Sequence, residues 1–416
     1  MLFRITYNLI LNLSYTLLRF LRFFSNKIRL FIVGRKEVFT HLESQGVNKG
    51  NWVWFHVASL GEFEQARPLI FEYRKAFPKD KILLTFFSPS GYEIQKKFNS
   101  ADCVCYLPWD TPGNVNLFLD FCNLNRAIFL KYEFWLNYFD GLSKRKIPVY
   151  SVSSIFRPNQ LFFKSYGKHY RSILYDVKHF FVQNDESKKL LNSIGIDKVS
   201  ISGDTRMDRV YNLTQNHEEI EIIEKFLKNQ ECFVAGSTWP EDYELMDHFL
   251  KNPIPIKIII APHEVSKQSI KTLEKRISLP YTKWSNFNEE RDTDKGIMIV
   301  DNIGQLAKIY RYAKFAYVGG GMKKSGGLHN TLEPAAYGIP IVIGKYFSRF
   351  QEAVLLQQKG GISSVQSTNG FEKIIDALMN DQKLVQRMGK INKNYVKMGK
   401  GASQNIIKTI LKHSIE

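Results

Sequence analysis

The stretch WVWFHVASLGEFEQARPLI, residues 52–70, decides the fold of this chain. Its first six residues are apolar or aromatic with one histidine among them, which is typical of a buried strand. Gly61 then permits a tight turn, and Ala66, Leu69 and Ile70 follow at helical spacing. A buried strand that turns directly into a helix predicts the first half of a β-α-β unit and therefore a parallel sheet.

The same alternation continues along the chain and then starts again. Strands are predicted at residues 52–57, 81–87, 103–107, 127–130, 147–152, 179–183 and 199–202, and then at 232–236, 256–260, 297–300, 315–318 and 340–343. Helical stretches separate them, so we predict two α/β domains, linked near residues 203–230 by a segment with a polar helical run at 217–229. Ligands of open α/β sheets bind beyond the carboxyl ends of the strands, and a cleft between the domains is the expected site.

Composition narrows the class of protein. The 416 residues are enough for two domains, and 44% hydrophobic with 24% charged residues is typical of globular chains. Four cysteines in a chain of this length predict reduced thiols, since they form neither a disulfide framework nor a zinc-binding pattern. Neither a metal nor a cofactor is predicted.

The charge indicates an anionic partner. Lys and Arg number 58 against 40 Asp and Glu, a net charge of +18. Nucleic acid, an anionic lipid surface and a phosphorylated substrate all fit this charge, as does a basic solvated surface without a partner. No compact nucleic-acid-binding signature is present, so nucleic acid is not the predicted partner.

Residues 1–33 are apolar, aromatic and basic. Their longest stretch without a charged residue, Ile5 to Leu18, has 14 residues, whereas a helix that spans a membrane needs about 20. No small-residue cleavage site follows, so a signal peptide is not expected. The segment predicts either an interfacial membrane helix or a buried first helix of the fold.

Two carboxylates stand at predicted strand ends of the first domain. Glu62 lies near a helix start, where it can complement the helix dipole or act as a general base facing the cleft. Glu133, in YEFWLN after the strand 127–130, is a lone acid among aromatic residues and is therefore either paired or functional.

Two stretches of the second domain predict anion binding. In AGSTWPEDYEL, 235–245, Ser237 and Thr238 follow a strand and can cap a helix or leave backbone N–H groups open to an anion. In VGGGMKKSGGLHNTLEPAAYGIP, 318–340, a glycine run, the pair Gly326–Gly327, and an Asn330–Glu333 pair one helical turn apart can hold a phosphate and a sugar diol. A capping box is the alternative for this helix start, and neither the Walker motif nor the G-x-G-x-x-G fingerprint is present.

Taken together and in order, these stretches resemble the 3-deoxy-D-manno-octulosonic acid (Kdo) transferases of lipopolysaccharide synthesis. The segments that carry the resemblance are HVASLGEFEQARPLI, FFSPSGYE, YLPWDTPGNVNLFL, YEFWLN, GDTRMDRV, AGSTWPED, DNIGQLAKIYRYAKFAYVGGG and GGLHNTLEPAAYGIPIVIG, and they extend from about residue 34 to 380. The last segment is the most specific.

The resemblance implies two Rossmann-like domains that face each other across a cleft, the B-type glycosyltransferase fold. Residues 1–33 would be a membrane-associated helix, 34–205 the acceptor-binding domain and 206–416 the domain that binds CMP-Kdo, with a last helix that can pack back on the first domain. The acceptor would be the phosphorylated lipid A precursor, lipid IVA, in the inner membrane. The expected location is therefore the anionic cytoplasmic face of that membrane.

The resemblance also assigns roles at the site. Glu62 would be the general base of an inverting single displacement, with Glu133 assisting it. The residues implied to bind the donor are Ser237, Thr238, His263, Gly319, Gly320, Gly321, Asn330 and Glu333, with Arg206 either meeting the Kdo carboxylate or forming a structural ion pair. No metal is implied.

The chain departs from the family pattern at three places. Lys131 stands where an acid is usual, Leu136 follows the YEFW motif where proline is common, and IIAPHEV lacks the arginine that usually precedes His263. The donor's anionic groups would then be met by Lys267 or Lys345. Two rival functions are a B-type glycosyltransferase that uses a UDP-sugar and a non-catalytic basic protein that binds membrane or RNA.

Overall fold

The computed structural model describes residues 2–215, 218–325 and 327–415 in two compact units. The first unit runs to Arg209 and takes up the chain again from Lys400, and the second is Val210–Gly399. Gly326 of the predicted glycine pair and Met1 lie outside the described residues. The sequence analysis placed the boundary after residue 205, whereas the first unit extends to Arg209. The segment from Lys400 onward also belongs to the first unit.

The first unit is a parallel sheet with helices on both faces. Its elements are α1 (Leu2–Leu21), α2 (Asn26–Val33), α3 (Val38–Ser44), β1 (Trp52–Val57), α4 (Leu60–Ala76), β2 (Lys81–Phe86), α5 (Pro89–Gln95), β3 (Cys103–Tyr106), α6 (Pro112–Phe121), β4 (Leu124–Leu130), α7 (Leu136–Lys144), β5 (Val149–Ser154), α8 (Lys168–Tyr175), β6 (His179–Val182), α9 (Asp185–Asn192), β7 (Val199–Ile201) and α10 (Arg206–Gln215), which crosses into the second unit. The strand order is β3-β2-β1-β4-β5-β6-β7.

The second unit repeats this plan. Its elements are α11 (Glu221–Leu227), β8 (Cys232–Thr238), α12 (Pro240–Lys251), β9 (Lys257–Pro262), α13 (Lys267–Glu274), β10 (Tyr281–Lys283), α14 (Glu289–Asp292), β11 (Ile297–Ile299), α15 (Leu306–Ile309), β12 (Ala313–Val318), α16 (Leu332–Tyr337), β13 (Ile341–Gly344), α17 (Gln351–Lys359), β14 (Ile362–Val365), α18 (Thr368–Asn380) and α19 (Gln382–Gly399). The strand order is β10-β11-β9-β8-β12-β13-β14, and α20 (Ala402–Ile415) follows in the first unit.

The two predicted parallel sheets are confirmed, each with seven strands among the described residues. Successive side chains of β1 point to opposite faces of the first sheet, and both faces are buried. Trp52 and Trp54 belong to one core cluster, whereas Val53 and Phe55 belong to the other. Residues of α20 fill that second cluster, so the end of the chain completes the core of the first unit.

Helix α1 packs on the first unit with one side only. The Tyr7 hydroxyl donates to Asp110 Oδ2 at 2.7 Å, and Trp109 Nε1 donates to the Leu11 carbonyl at 3.1 Å. The opposite side is apolar and exposed, and it carries Ile5, Leu9, Leu13, Leu17 and Phe20. Within the described residues, no helix combines the length and the apolar character that crossing a bilayer requires.

Candidate active site

Glu62 lies in the first turn of α4, directly beyond the carboxyl end of β1. The chain turns through Ser59 in extended conformation, and the Glu62 side chain folds back so that Oε2 accepts the Ala58 N–H at 2.5 Å. The bond satisfies a backbone donor at the start of the helix. Only 8% of Glu62 is exposed, so the carboxylate is largely removed from water.

This environment raises the pKa of Glu62 to about 7. Burial is the main cause, and the like charge of Glu133 acts in the same direction. The Ala58 N–H and the positive charge of Lys131 lower the pKa and offset part of the effect. A carboxyl group that titrates near neutral pH is suited to accept a proton from a hydroxyl group.

Glu133 is held between Trp135 and a buried histidine. Trp135 Nε1 donates to Glu133 Oε2 at 2.9 Å, and His56 Nε2 lies 3.5 Å from the same oxygen. The His56 ring is fully buried on β1, with Nδ1 2.8 Å from Thr85 Oγ1. We assign the proton to Nε2, because an unprotonated Nε2 would face the carboxylate with a lone pair. His56 therefore faces Glu133 without a hydrogen bond to it among the described residues, and the sequence analysis did not single this histidine out.

Lys131 ends β4 in a strained conformation. Its φ of 56° lies in the left-handed region, which costs free energy for a side chain other than glycine. The carbonyl of Lys131 accepts the Ser154 hydroxyl at 3.1 Å, which helps to hold the turn. Its charge lowers the pKa of both Glu62 and Asp204, so the lysine that departs from the family pattern acts electrostatically on the site.

Arg206 forms the ion pair that the sequence analysis left as one of two alternatives. Arg206 Nη2 lies 2.6 Å from Asp204 Oδ2, and Gln65 Nε2 donates to Asp204 Oδ1 at 3.3 Å. Burial alone would raise the pKa of Asp204, but the Arg206 guanidinium and its backbone N–H outweigh it and lower the pKa. The Arg206 side chain is 22% exposed, so the pairing does not bury it.

The second unit places Ser237 and Thr238 at the carboxyl end of β8. Ser237 has a φ of 53°, and Thr238 is buried, with its carbonyl accepting the His263 N–H at 2.9 Å. This bond joins the ends of β8 and β9 and brings His263 beside Thr238. The left-handed Ser237 marks strain at this strand end, as is common at functional sites.

Three rings lie against one another next to these residues, and two of them are stacked. The centroids of Trp239 and His263 are 4.3 Å apart at an interplanar angle of 18°, and His263 lies 4.4 Å from His329. Burial and the neighbouring His263 lower the pKa of His329 to about 4, and burial also lowers the pKa of His263. Both imidazoles are therefore neutral at pH 7, and His263 can offer a donor anion a hydrogen bond but no full charge.

The glycines after β12 are enclosed by backbone. A Cβ at Gly319 would lie 2.3 Å from the Ser237 carbonyl oxygen, and one at Gly321 would lie 2.8 Å from the Gly344 nitrogen. The Gly319 N–H donates to the Gly236 carbonyl at 2.9 Å, and the Gly320 N–H donates to Asp242 at 3.0 Å. The N–H groups of Gly319 and Gly320 are thus used within the unit, and close packing by itself requires glycine here.

Asp242 connects the two predicted donor-binding stretches. Its carboxylate is fully buried and accepts the Trp239 N–H at 2.8 Å, the Gly320 N–H at 3.0 Å and the Tyr317 hydroxyl at 2.6 Å. Burial raises the pKa of Asp242, while these donors oppose the rise. The sequence analysis quoted this acid within AGSTWPEDYEL but assigned no role to it.

We expect Asp242→Ala to lower the free energy of unfolding by about 3 kcal/mol or more, because it leaves several buried donors without an acceptor. Asp242→Asn is the matched control: its amide oxygen can accept the Trp239 and Gly320 N–H groups, and its NH₂ can donate to the Tyr317 oxygen. Urea denaturation of both variants measures the difference. Equal losses in the two variants would contradict this explanation, because Asn restores an acceptor for the same donors.

Asn330 and Glu333 flank the start of α16. Asn330 Oδ1 accepts the Leu332 N–H at 3.1 Å, which shows the capping role, and Glu333 stands in the first turn. Both side chains are partly exposed, so the capping bond leaves the Asn330 amide nitrogen for other contacts. Between them, the Thr331 hydroxyl is buried without a hydrogen-bond partner in the described part of the chain.

Comparisons with known proteins find relatives along most of the chain. A family model described as 3-deoxy-D-manno-octulosonic-acid transferase (kdotransferase) matches residues 33–209. The 3-deoxy-D-manno-octulosonic acid transferase of Haemophilus influenzae is 26% identical over 85% of this chain and 85% of its own length. The protein of the same name from Aquifex aeolicus is 26% identical over 81% of this chain and 84% of its own length.

Among solved structures, UDP-GlcNAc 2-epimerase from Neisseria meningitidis, bound to UDP-GlcNAc, has a TM-score of 0.61 and 17% identity, and covers 87% of this chain and 100% of its own. This likeness concerns the fold alone and agrees with the B-type glycosyltransferase fold that the resemblance implies. The chain is similar to Kdo transferases along most of its length, and the model of that family matches residues 33–209.

Proposed function

We propose that this protein is an inverting glycosyltransferase that moves Kdo from CMP-Kdo to the lipid A precursor lipid IVA. The observation that carries the proposal is the buried Glu62 carboxyl group, with its pKa raised to about 7 beyond the end of β1 in the domain that matches the Kdo transferase family. A general base of this kind is what a glycosyl transfer to a hydroxyl group needs.

In the proposed reaction, an acceptor hydroxyl oxygen attacks the anomeric carbon of Kdo while Glu62 takes the proton of that hydroxyl. The bond between the anomeric carbon and the phosphate oxygen breaks, and CMP leaves with the electron pair. One displacement inverts the configuration at the carbon. Glu133 helps to keep the pKa of Glu62 high through its like charge, and the Trp135 indole N–H holds Glu133 in place.

We assign the donor to the second unit. Ser237 and Thr238 at the end of β8 and Asn330 and Glu333 at the start of α16 offer the hydroxyl, amide and carboxylate groups that would bind the phosphate and the ribose of CMP. Positive charge comes from exposed lysines after β12 and β13: Lys323, 3.3 Å from Glu241, and Lys345. Opposite charge near the phosphate stabilises the leaving group.

A donor panel tests the substrate assignment. The protein is mixed with lipid IVA and either CMP-Kdo, generated in the assay because it is unstable, or UDP-sugars, and products are counted by mass spectrometry. We expect products that carry Kdo and no product from UDP-sugars. Turnover with a UDP-sugar alone would replace the proposal by the rival glycosyltransferase activity, and RNA binding without turnover would favour a non-catalytic protein.

We further propose that the exposed side of α1 inserts into the cytoplasmic leaflet of the inner membrane, where lipid IVA is embedded. Leu9 and Leu13 are 57% and 62% exposed on a helix whose other side is packed on the first unit. Arg19 and Arg22 follow at the end of that helix. An apolar side bordered by basic residues is typical of helices that lie in the interface of an anionic membrane.

Leu9→Glu combined with Leu13→Glu should therefore lower binding to vesicles that contain anionic lipid by at least 10-fold, measured by flotation. The control combines Ile303→Glu with Met398→Glu, two apolar residues that are 84% and 87% exposed in the second unit. It adds the same charge and should bind as the unchanged protein does. Normal flotation of the α1 variant would contradict membrane insertion by this helix.

A further inference from the structure

A basic pocket lies at the amino-end edge of the sheet in the first unit, away from Glu62. It has a volume of about 460 Å³ and is formed where β4, β5 and β6 begin, next to the end of α20. Glu62 stands beyond the carboxyl end of β1 in the same parallel sheet, so the pocket and the general base belong to opposite edges. The proposed transfer reaction does not use this pocket.

Positive charge dominates the lining of the pocket. The charged residues of the lining are Arg126, Lys146, Lys178 and Lys198, with Asp176 as the single acidic one, and the imidazole of His413 lies beside them. Within the described residues, none of these four cations lies within ion-pair distance of a carboxylate. Four cations with only one carboxylate among them repel each other, and a bound anion relieves that repulsion.

The buried groups of the pocket are also incompletely bonded. Arg126 Nη1 donates to Ser414 Oγ at 2.9 Å, and the guanidinium lies 4.6 Å from the centroid of the Phe77 ring. Arg126 Nε and His413 Nδ1 are buried and have no hydrogen-bond partner among the residues that the structure describes. The His413 ring is stacked on Tyr150 with a centroid distance of 6.0 Å, so this wall of the pocket is held in position by packing.

We propose that this pocket binds a soluble small molecule that carries a phosphate group. Phosphate suits a guanidinium surrounded by several lysines, because it accepts many hydrogen bonds and carries up to two charges. A soluble source fits better than a lipid headgroup, because α1 packs on Trp109 and Asp110, which follow the carboxyl end of β3. The pocket lies at the other edge of the sheet.

Inorganic phosphate is the probe for the test, added to the full-length protein at constant ionic strength with chloride as the balancing anion. The C2-proton signals of the histidine rings are followed by NMR, and His413→Asn assigns the signal of His413. We expect saturable shifts at His413 and at His179, whose ring lies 5.5 Å from that of His413. Lys178→Gln combined with Lys198→Gln should weaken phosphate binding at least 10-fold.

The control combines Lys271→Gln with Lys275→Gln, which removes two equally exposed lysines on or next to α13 in the second unit and should leave phosphate affinity unchanged. Equal weakening in both double variants would overturn the proposal, since general surface charge would then explain binding. Shifts confined to His263 and His329 would overturn it as well, because phosphate would bind only in the second unit. Vesicles with phosphatidic acid form the last arm, and shifts of His413 with vesicles but not with free phosphate would contradict a soluble ligand.

Discussion

Replacing Glu62 with Gln will lower the single-turnover rate of sugar transfer by about 10²- to 10⁴-fold, the usual contribution of a positioned general base. Gln keeps the size of the side chain and an oxygen that can accept the Ala58 N–H, so the start of α4 is preserved. What the variant loses is the group that takes the proton. Single-turnover kinetics with CMP-Kdo and lipid IVA measure the loss.

The same variant should be more stable than the unchanged protein above pH 7. The pKa of Glu62 is raised from 4.5 to about 7 in the folded state, so the folded protein holds this proton more tightly than the unfolded chain does. Stability therefore falls as pH rises from about 4.5 to about 7 and then levels off. Removing the carboxylate recovers up to about 3 kcal/mol at pH 8, at 1.36 kcal/mol per pKa unit.

Glu72→Gln is the control on the same helix, since Glu72 forms an ordinary surface pair with Lys75 at 2.6 Å. It should change neither the transfer rate nor the pH dependence of unfolding by more than a small amount. If Glu62→Gln transferred Kdo within threefold of the normal rate, Glu62 would not be the base. If it were less stable at pH 8, the raised pKa would be wrong.

Gly319→Ala should unfold the second unit or lower its free energy of unfolding by about 3 kcal/mol or more. The added Cβ would lie 2.3 Å from the Ser237 carbonyl oxygen and 2.7 Å from Asp242 Oδ2. A backbone oxygen inside a sheet cannot move aside, so the strand ends of β8 and β12 would have to separate. Urea denaturation followed by circular dichroism measures the effect.

Gly296→Ala is the matched control, because a Cβ at Gly296 meets no atom within 4 Å. Its effect should stay within about 0.5 kcal/mol. If Gly319→Ala were as stable as this control, Gly319 would not lie in a closely packed part of the structure. Loss of donor binding without loss of stability would instead favour a direct role of Gly319 at the ligand.

The main strands were predictable because continuous apolar runs such as WVWFHV and IKIII mark strands covered on both faces. The prediction missed β10 and β14, which are the edge strands of the second sheet. Their sequences, YTK and ISSV, are short and partly polar, because an edge strand has a neighbour on one side only. Nothing in their local pattern separates them from loops.

The candidate site was predictable where a charged side chain stands in an apolar stretch or next to a buried strand. Glu62 at the turn from a strand to a helix and Glu133 among aromatic residues could both be found in this way. His56, a lone polar residue in an apolar strand, offered the same signal but was passed over. Asp242 offered none, because the donors Tyr317 and Gly320 are 75 and 78 residues away along the chain.

The glycines at 319–321 show that one sequence motif can have more than one structural explanation. A phosphate-binding turn and a tight contact between strand ends both require residues without a Cβ. In the structure the Gly319 and Gly320 N–H groups bond to Gly236 and Asp242, and Gly321 abuts Gly344. Close packing accounts for these glycines. That they also contact CMP stays a prediction, and such a contact would depend on the absence of side chains rather than on free N–H groups of Gly319 and Gly320.

The most direct test of the account is the pH dependence of single-turnover transfer from CMP-Kdo to lipid IVA between pH 5 and 9. A base with a pKa near 7 predicts a rate that rises about tenfold per pH unit at low pH, bends near pH 7 and levels off above it. In Glu62→Gln this rise should disappear. A rate independent of pH below 7, or the same bend in Glu62→Gln, would contradict the claim that the buried Glu62 carboxylate accepts the proton.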